Sequence, residues 1–530
     1  MLELLFEKRK LNQMEQAKKI LKTAGFMVAA TLAAKACGML RDMLIASVYS
    51  TGSEAVAFYT ACRIPLLLFD FVIGGVISST FIPVFNEYLE KEGKERAMRF
   101  ANLYINTVFL ITLVITALGV LFAPQLIRAI APDIPIKTQE LSRVLSNIMF
   151  PMIIFTGLAY SFVGILQSFG EFNIPSVISL VSNGSLILYF ILFQDRFGIY
   201  GLAVAMLIGW GLQAVIQIPW LKKFGYRYSP CLSLRDDGIH KAAKLAIPML
   251  ISTWVQPLCT VINMRLASGV NEGAGIAALE YANKIYVIMT GLFSFVVTNL
   301  IFPYLSRASA SDKQEEVSSM MITALKAITF IILPIMTGFM ILARPITSLI
   351  YQRGAFGAED VSMTSTALMF YSVGMLALAF CELLNKSFFA MHDSKTPMKT
   401  SVIGMVCNIG LSVALSRVMG FGGLALATAL SSVVNAVALL ICMRRRQGRI
   451  FSPKELKNFG KILLADVVMA AVVFAVYRTA GGIPYARLTL PVLCAVLGAV
   501  VYFIVCSLLK VEELQMVWEI ILKKKKRRAT

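Results

Sequence analysis

Charged side chains lie in a stretch apolar enough for lipid. Lys35, Arg41, Asp42, Arg63 and Asp70 fall within KACGMLRDMLIASVYSTGSEAVAFYTACRIPLLLFDFVIGGVISSTFIPVFNE, Lys35 to Glu87. A charge at the bilayer centre costs at least about 2.5 kcal/mol, so such residues face a protein interior or a watery cavity. At roughly 100° per residue, Lys35, Gly38 and Arg41 share a wedge of about 120° on a straight helix. Gly38 removes bulk between the two cations, and Asp42 lies close to Lys35's side. The chemistry open to such a seam is the holding of an anion. Arg grips phosphate through paired hydrogen bonds and Lys attracts it as a point charge.

Further charges sit in later apolar runs. Arg265 lies near a helix end, where a long side chain can also snorkel to the interface. Glu280 and Lys284 are spaced i,i+4 in the favourable order and can pair locally, as can Glu382 and Lys386. Lys326 reads as structural. Arg63 has Tyr59 four residues earlier instead of a carboxylate. Lys35, Arg41, Arg63 and Lys284 thus stand against few acids, and a surplus of cations in a dehydrated cavity calls for an anionic, phosphate-bearing ligand.

Holding these residues requires membrane helices, and the composition supplies them. The chain has 530 residues, of which 58% are hydrophobic. Near-continuous apolar runs recur from Ala24 to Leu509, which implies an all-α polytopic membrane protein and not a β-barrel. The net charge of +20 does not indicate nucleic acid, because the basic residues collect in particular loops. Nine cysteines are scattered without CxxC spacing, and two histidines exclude a His-rich metal site. No P-loop, HExxH or nucleophile elbow is present, so no enzyme, no cofactor and no bound metal are expected. Any energy must come from an ion gradient, the membrane potential or the substrate's own gradient. No cleavable signal is expected.

Residues 1–23 form an amphipathic basic segment. About fourteen transmembrane helices follow, at 24–49, 55–85, 98–124, 143–168, 174–194, 199–220, 240–267, 274–305, 318–342, 362–389, 397–417, 422–443, 461–478 and 488–509. The tail 510–530 ends in KKKKRR. Segments such as KEGKERAMR, MRRRQGRIFSPKELK and this tail place both termini in the cytoplasm by the positive-inside rule, in contact with anionic lipids. The chain also repeats itself. AFYTACRI at Ala57–Ile64 matches ALEYANKI at Ala278–Ile285, FNIPS at Phe172–Ser176 aligns with SKTPM at Ser394–Met398, and GIYGLAVA at Gly198–Ala205 matches GFGGLALA at Gly420–Ala427, all at an offset of 221 or 222 residues. Six helices per repeat give two parallel six-helix lobes, 24–220 and 240–443, with a site at their interface and helices 461–509 as an appendage. Such a chain can work as a monomer, by alternating access.

GMLRDMLIASVYSTGSEAVAF, the following RIP and FIPVFNEY resemble the opening of the MviN/MurJ family of lipid II flippases. YQRGAF at Tyr351–Phe356, YSVG at Tyr371–Gly374 and DSKTPMK at Asp393–Lys399 extend the resemblance over nearly the whole chain. It implies the MOP exporter fold of two six-helix lobes plus two helices, in a bacterial plasma membrane. It implies movement of undecaprenyl-diphosphate-linked peptidoglycan precursor from inner to outer leaflet, with central cations on the diphosphate and sugar and the lipid tail in a groove lined by the last two helices. Carried over by position are Lys35, Arg41, Asp42 and Lys284, and the charge pattern adds Arg63 and Arg265 to the substrate-binding set as weaker candidates.

The match has departures. The family's first Arg on helix one is Lys35 here, and its Arg on helix eight is Lys284, preceded by Asn283 where an Asp often stands. Its late Arg on helix two falls at Phe69, beside Asp70, and its early acid there falls at Val56. Relatives with a sodium site use acids on helices seven and eleven. Here IPMLISTWVQPLCTVINMRLA has none, and helix eleven offers Asn408 and Ser412. The alternatives are a flippase for another polyprenyl-linked oligosaccharide and a cation-coupled multidrug antiporter. The second would bind cationic drugs through intramembrane acids, against the cation surplus found here. A non-transport scaffold would leave both the buried charges and the repeat unexplained.

Overall fold

The structure, a computed structural model, describes residues 2–72, 76–233, 235–310, 314–391, 393–448, 452–480 and 486–515. Every regular element among them is a helix. Two compact units result, one of Met1–Ile45 with Ser53–Leu258 and one of Ala46–Gly52 with Cys259–Thr530. Nine helices among the described residues are long and apolar enough to cross a membrane, or ten if one bent pair counts as a single span. That is fewer than the fourteen segments expected, although the described residues of each are largely helical. Several spans are interrupted, and others carry charges.

The first unit contains most of α1 (Leu2–Tyr49), then α2 (Ser53–Val72), α3 (Val76–Lys91), α4 (Lys94–Leu121), α5 (Ala123–Ile130), α6 (Ile136–Met149), α7 (Met152–Ser168), α8 (Asn173–Leu192), α9 (Gln194–Val215), α10 (Ile218–Lys223) and α11 (Asp237–Thr253). The span expected at 55–85 covers most of α2 and the first part of α3, with 73–75 outside the described residues. The span expected at 143–168 is divided at Pro151, which has no N–H to donate into the preceding turn. Lipid is as apolar as leucine, so the helices gain little from hydrophobic association and pack instead through small residues and aromatic contacts. Phe81 stacks between Phe85 and Phe100 at centroid distances of 5.3 and 5.6 Å. Gly164 admits the Phe81 ring, which a Cβ there would meet at 2.7 Å. Leu188, Ile191 and Leu192 on α8 are exposed, as a lipid-facing surface requires.

In the second unit lie the end of α12 (Val255–Ser268), α13 (Ala274–Ala310), α14 (Gln314–Ile341), α15 (Ala343–Tyr351), α16 (Ala358–Ser372), α17 (Met375–Ala390), α18 (Lys395–Met419), α19 (Phe421–Gln447), α20 (Pro453–Ala480) and α21 (Ala486–Leu508). Two more expected spans are broken. The one at 240–267 is interrupted at Trp254, and the one at 362–389 bends by 49° between α16 and α17. At that bend Gly374 lies so close to α19 that a Cβ would stand 2.7 Å from Ala429 Cα. The turn Ala46–Gly52 is seated in this unit by hydrogen bonds. Ala355 N–H donates to Ser47 O at 2.7 Å, the Tyr281 hydroxyl donates to Ser50 O at 2.8 Å, and the Thr51 hydroxyl bonds Asp360. Tyr281, Tyr351 and Phe356 pack together around this turn with centroids 5.1–5.7 Å apart.

The repeat is visible in the backbone. Gly198 (φ 49°, ψ −143°) and its counterpart Gly420 (φ 60°, ψ −140°) adopt the same left-handed conformation at the entry to corresponding helices. Only glycine visits that region freely, so the shared GxxGLAxA pattern reflects a shared helix start.

Candidate functional site

In the first unit, α1 turns Gly38 and Arg41 toward α8. A Cβ on Gly38 would lie 3.5 Å from Asn183 Nδ2, an ordinary contact, so the amide packs directly over this turn of α1. Asn183 Nδ2 donates to Ala34 O at 3.2 Å, and Asn183 Oδ1 accepts from Arg41 Nη1 at 2.9 Å. Arg41 also donates to Asp42 Oδ1 from Nε at 3.0 Å and from Nη2 at 2.7 Å. Asp42 is 1% exposed, and its Oδ2 meets no donor among the described residues. The two adjacent residues therefore form an ion pair of their own. Asp42 does not serve Lys35, as the helical wheel suggests, because the guanidinium folds back along α1 to reach it.

A guanidinium has five N–H donors. Three are used by Asp42 and Asn183, which leaves one on each terminal nitrogen with no acceptor among the described residues. Those two N–H groups are free for an anion. Tyr59 and Cys62 of α2 lie within electrostatic reach of Arg41. The turn of α2 carrying Arg63 therefore approaches the turn of α1 carrying Arg41. Arg63 is half-buried and acts electrostatically on Asp70, two turns further along α2. Lys35 is half-buried and has no hydrogen bond or ion pair among the described residues. The structure thus brings Arg41, Asp42 and Asn183 together, with Tyr59 and Cys62 of α2 nearby and Lys35 two turns from Arg41 on α1.

Asn183 escaped the sequence reading. It is an amide in the apolar run of α8, SVISLVSNGSLILYF, and only its partners reveal its role. A polar side chain in such a run was the available signal.

In the second unit Lys284 Nζ is 3.9 Å from Glu280 Oε2, at the outer limit of an ion pair, with the lysine side chain 36% exposed. The i,i+4 contact exists but is loose, and the ammonium keeps most of its donors. Arg265 is exposed in the last turn of α12, where its carbonyl accepts from Ser268 Oγ at 2.7 Å. Beside it is a neutral polar cluster. Ser412 Oγ donates to Asn263 Oδ1 at 2.8 Å, Asn263 Nδ2 reaches Thr428 Oγ1 at 3.3 Å, and Asn408 Nδ2 lies 3.4 Å from Thr428 Oγ1 and from Ser431 Oγ. Asn408 Oδ1 is the acceptor in this group without a donor among the described residues. A hard cation favours carboxylate oxygens, and none is present here. This set lacks the acids that relatives with a sodium site use there.

Comparison with known proteins gives the setting for these charges. The family model described as lipid II flippase MurJ matches residues 45–485. The chain belongs to the MurJ family. It is 26% identical to the lipid II flippase MurJ of Burkholderia cenocepacia over 91% of this chain and 95% of that protein. It is 29% identical to the probable lipid II flippase MurJ of Rhizobium tropici, with 84% of each covered. Among solved structures it matches a lipid II flippase MurJ in an inward closed conformation, with TM-score 0.80, 26% identity, and 91% and 98% of the two chains covered. An inward-facing multidrug resistance MATE transporter of the MOP superfamily matches with TM-score 0.66 at 15% identity, covering 79% of this chain and 95% of that one. The second likeness is one of fold alone. Together these matches establish the MOP-type fold expected from the resemblance.

Proposed function

We propose that this chain is a lipid II flippase. It moves undecaprenyl-diphosphate-linked peptidoglycan precursor from the inner to the outer leaflet of a bacterial plasma membrane, by alternating access of its two lobes. The observation that carries this reading is the pair of uncommitted N–H groups on Arg41, a membrane-buried guanidinium held in place by Asp42 and Asn183 in a member of the MurJ family. Two donors on neighbouring nitrogens match two oxygens of a phosphate. Lys35 and Lys284 supply point charges for the rest of the diphosphate, with Arg63 and Arg265 as peripheral contributors. No bond of the substrate is made or broken, so no catalytic residue is assigned. The chain acts as a monomer with both termini cytoplasmic, and its basic tail meets anionic lipid. Coupling is to the membrane potential or to an ion gradient.

The deciding experiment uses a cell in which this chain is the sole flippase and can be depleted. Lipid II accessible at the outer surface is labelled, and total lipid II is measured alongside. A rising total with a falling outer pool is expected. An unchanged outer pool refutes the substrate assignment and moves other polyprenyl-linked oligosaccharides to first place. Drug resistance on overexpression would instead favour the multidrug antiporter.

A further inference from the structure

The last two helices contain a group of titratable side chains that anion binding does not use. Asp466 on α20, Tyr502 and Cys506 on α21, and Glu513 just beyond α21 interact with one another inside one apolar cluster. Asp466 is 4% exposed and stands near the middle of the 28-residue α20. The span expected here begins at 461, so at 1.5 Å per residue Asp466 lies about 7 Å inside it. Its walls include Ile462, Ala465 and Met469.

The partners of Asp466 are few. From α14, Thr337 Oγ1 lies 2.7 Å from Asp466 Oδ2, while Oδ1 is buried with no donor among the described residues. From α21, Tyr502 spends its hydroxyl on Phe330 O at 2.9 Å, and Cys506 bonds to Tyr502. Beyond α21, Glu513 Oε2 accepts from Asn458 at 2.7 Å. The nearest cation on α14, Lys326, is taken by Glu512 at 2.7 Å and Glu513 at 3.7 Å. Asp466 has no ion pair among the described residues. An ionised carboxylate needs a counter-charge or several donors to lie in an apolar interior, and one neutral hydroxyl provides neither. A neutral carboxylic acid suits the same place, because it carries no charge to compensate and its oxygen still accepts from the Thr337 hydroxyl at 2.7 Å.

We propose that Asp466 is a proton-binding site. It carries a proton while α20 is packed on α14 and gives that proton to water when the contact with Thr337 opens, so that unseating of the α20–α21 pair releases one proton. The assignment does not depend on the identity of the transported lipid.

The test is an infrared titration of the full-length protein in lipid nanodiscs, comparing wild type with Asp466→Asn. A protonated-carboxyl band at neutral pH is expected in the wild type, absent from the variant and lost on alkaline titration. Carboxylate bands in the neutral-pH difference spectrum would overturn the proposal. If Asp466→Asn does not fold, the wild type is treated with dicyclohexylcarbodiimide, which modifies protonated carboxyls in apolar surroundings, and its peptides are mapped. Modification of Asp466 that declines as pH rises supports the site. Asp466 left unmodified at every pH refutes it.

Discussion

Replacing Arg41 by alanine separates its two roles, and the size of each effect follows from its bonds. The substitution removes three hydrogen bonds and leaves Asp42, 1% exposed, without its cation. Stranding one partner of a buried pair costs about 3–5 kcal/mol at most, less whatever protonation of the acid recovers. The ligand loses two charge-assisted hydrogen bonds at about 1.5–3 kcal/mol each, or about 3–6 kcal/mol. At about 1.4 kcal/mol per decade this is two to four orders of magnitude in affinity. Arg41→Ala should therefore lose both stability and flipping. Adding Asp42→Asn removes the stranded charge, so the double variant should regain thermal stability in detergent while flipping stays at least about 100-fold down by the same arithmetic. Arg41→Lys should fall between, since an ammonium keeps the charge but not the paired donors. Stability is read from thermal unfolding, and flipping from outer-surface labelling of lipid II. A double variant that flips at the wild-type rate would refute the reasoning, because Arg41 would then matter only as the counter-charge of Asp42.

Three other outcomes are expected. Lys284→Ala should cost less than about 1 kcal/mol in thermal stability, because its ion pair with Glu280 is loose and partly solvated. It should nevertheless reduce flipping, with Lys284→Arg restoring it. Gly354→Ala should destabilise the protein by about 2–4 kcal/mol, measured by thermal unfolding. Gly354 has φ +57°, and a Cβ there would stand 2.2 Å from Ser47 O, backbone that has no rotamer with which to give way. The Glu512 carboxyl is held below its ordinary range by hydrogen bonds from Lys326 first and Lys454 second. A depressed value means that its contribution is complete above the ordinary carboxylate range and is lost as pH falls through the lowered value. Amide exchange at residues 511–515 should thus stay slow through mild acid and quicken only in stronger acid. Quickening already within the ordinary carboxylate range would show that the two lysines do not hold this segment.

The amino-acid sequence by itself determines the class of this protein, because long apolar runs can satisfy their backbone only as helices in lipid. It also determines the internal repeat, since matched motifs at one offset require matched local structure, as the common backbone of Gly198 and Gly420 illustrates. The placing of cations on α1, α2 and α13 is legible for the same reason, because charge in lipid stands out against its surroundings. Helical periodicity assumes straight helices and knows nothing of neighbouring ones, so it divides spans poorly. The breaks at Pro151 and Trp254 and the bend between α16 and α17 arise from local backbone chemistry and from close approach to other helices. Tertiary structure alone decided the partners. Asn183 comes from α8, 142 residues away from Arg41, to hold its guanidinium. Asp42 turns to Arg41 and not to Lys35 because side chains reach back along the helix as well as outward. Asp466 gained its significance in the same way. In the sequence it is one acid in an apolar run, and only the packing of α14 and α21 around α20 shows that its hydrogen-bond partner among the described residues is a neutral threonine.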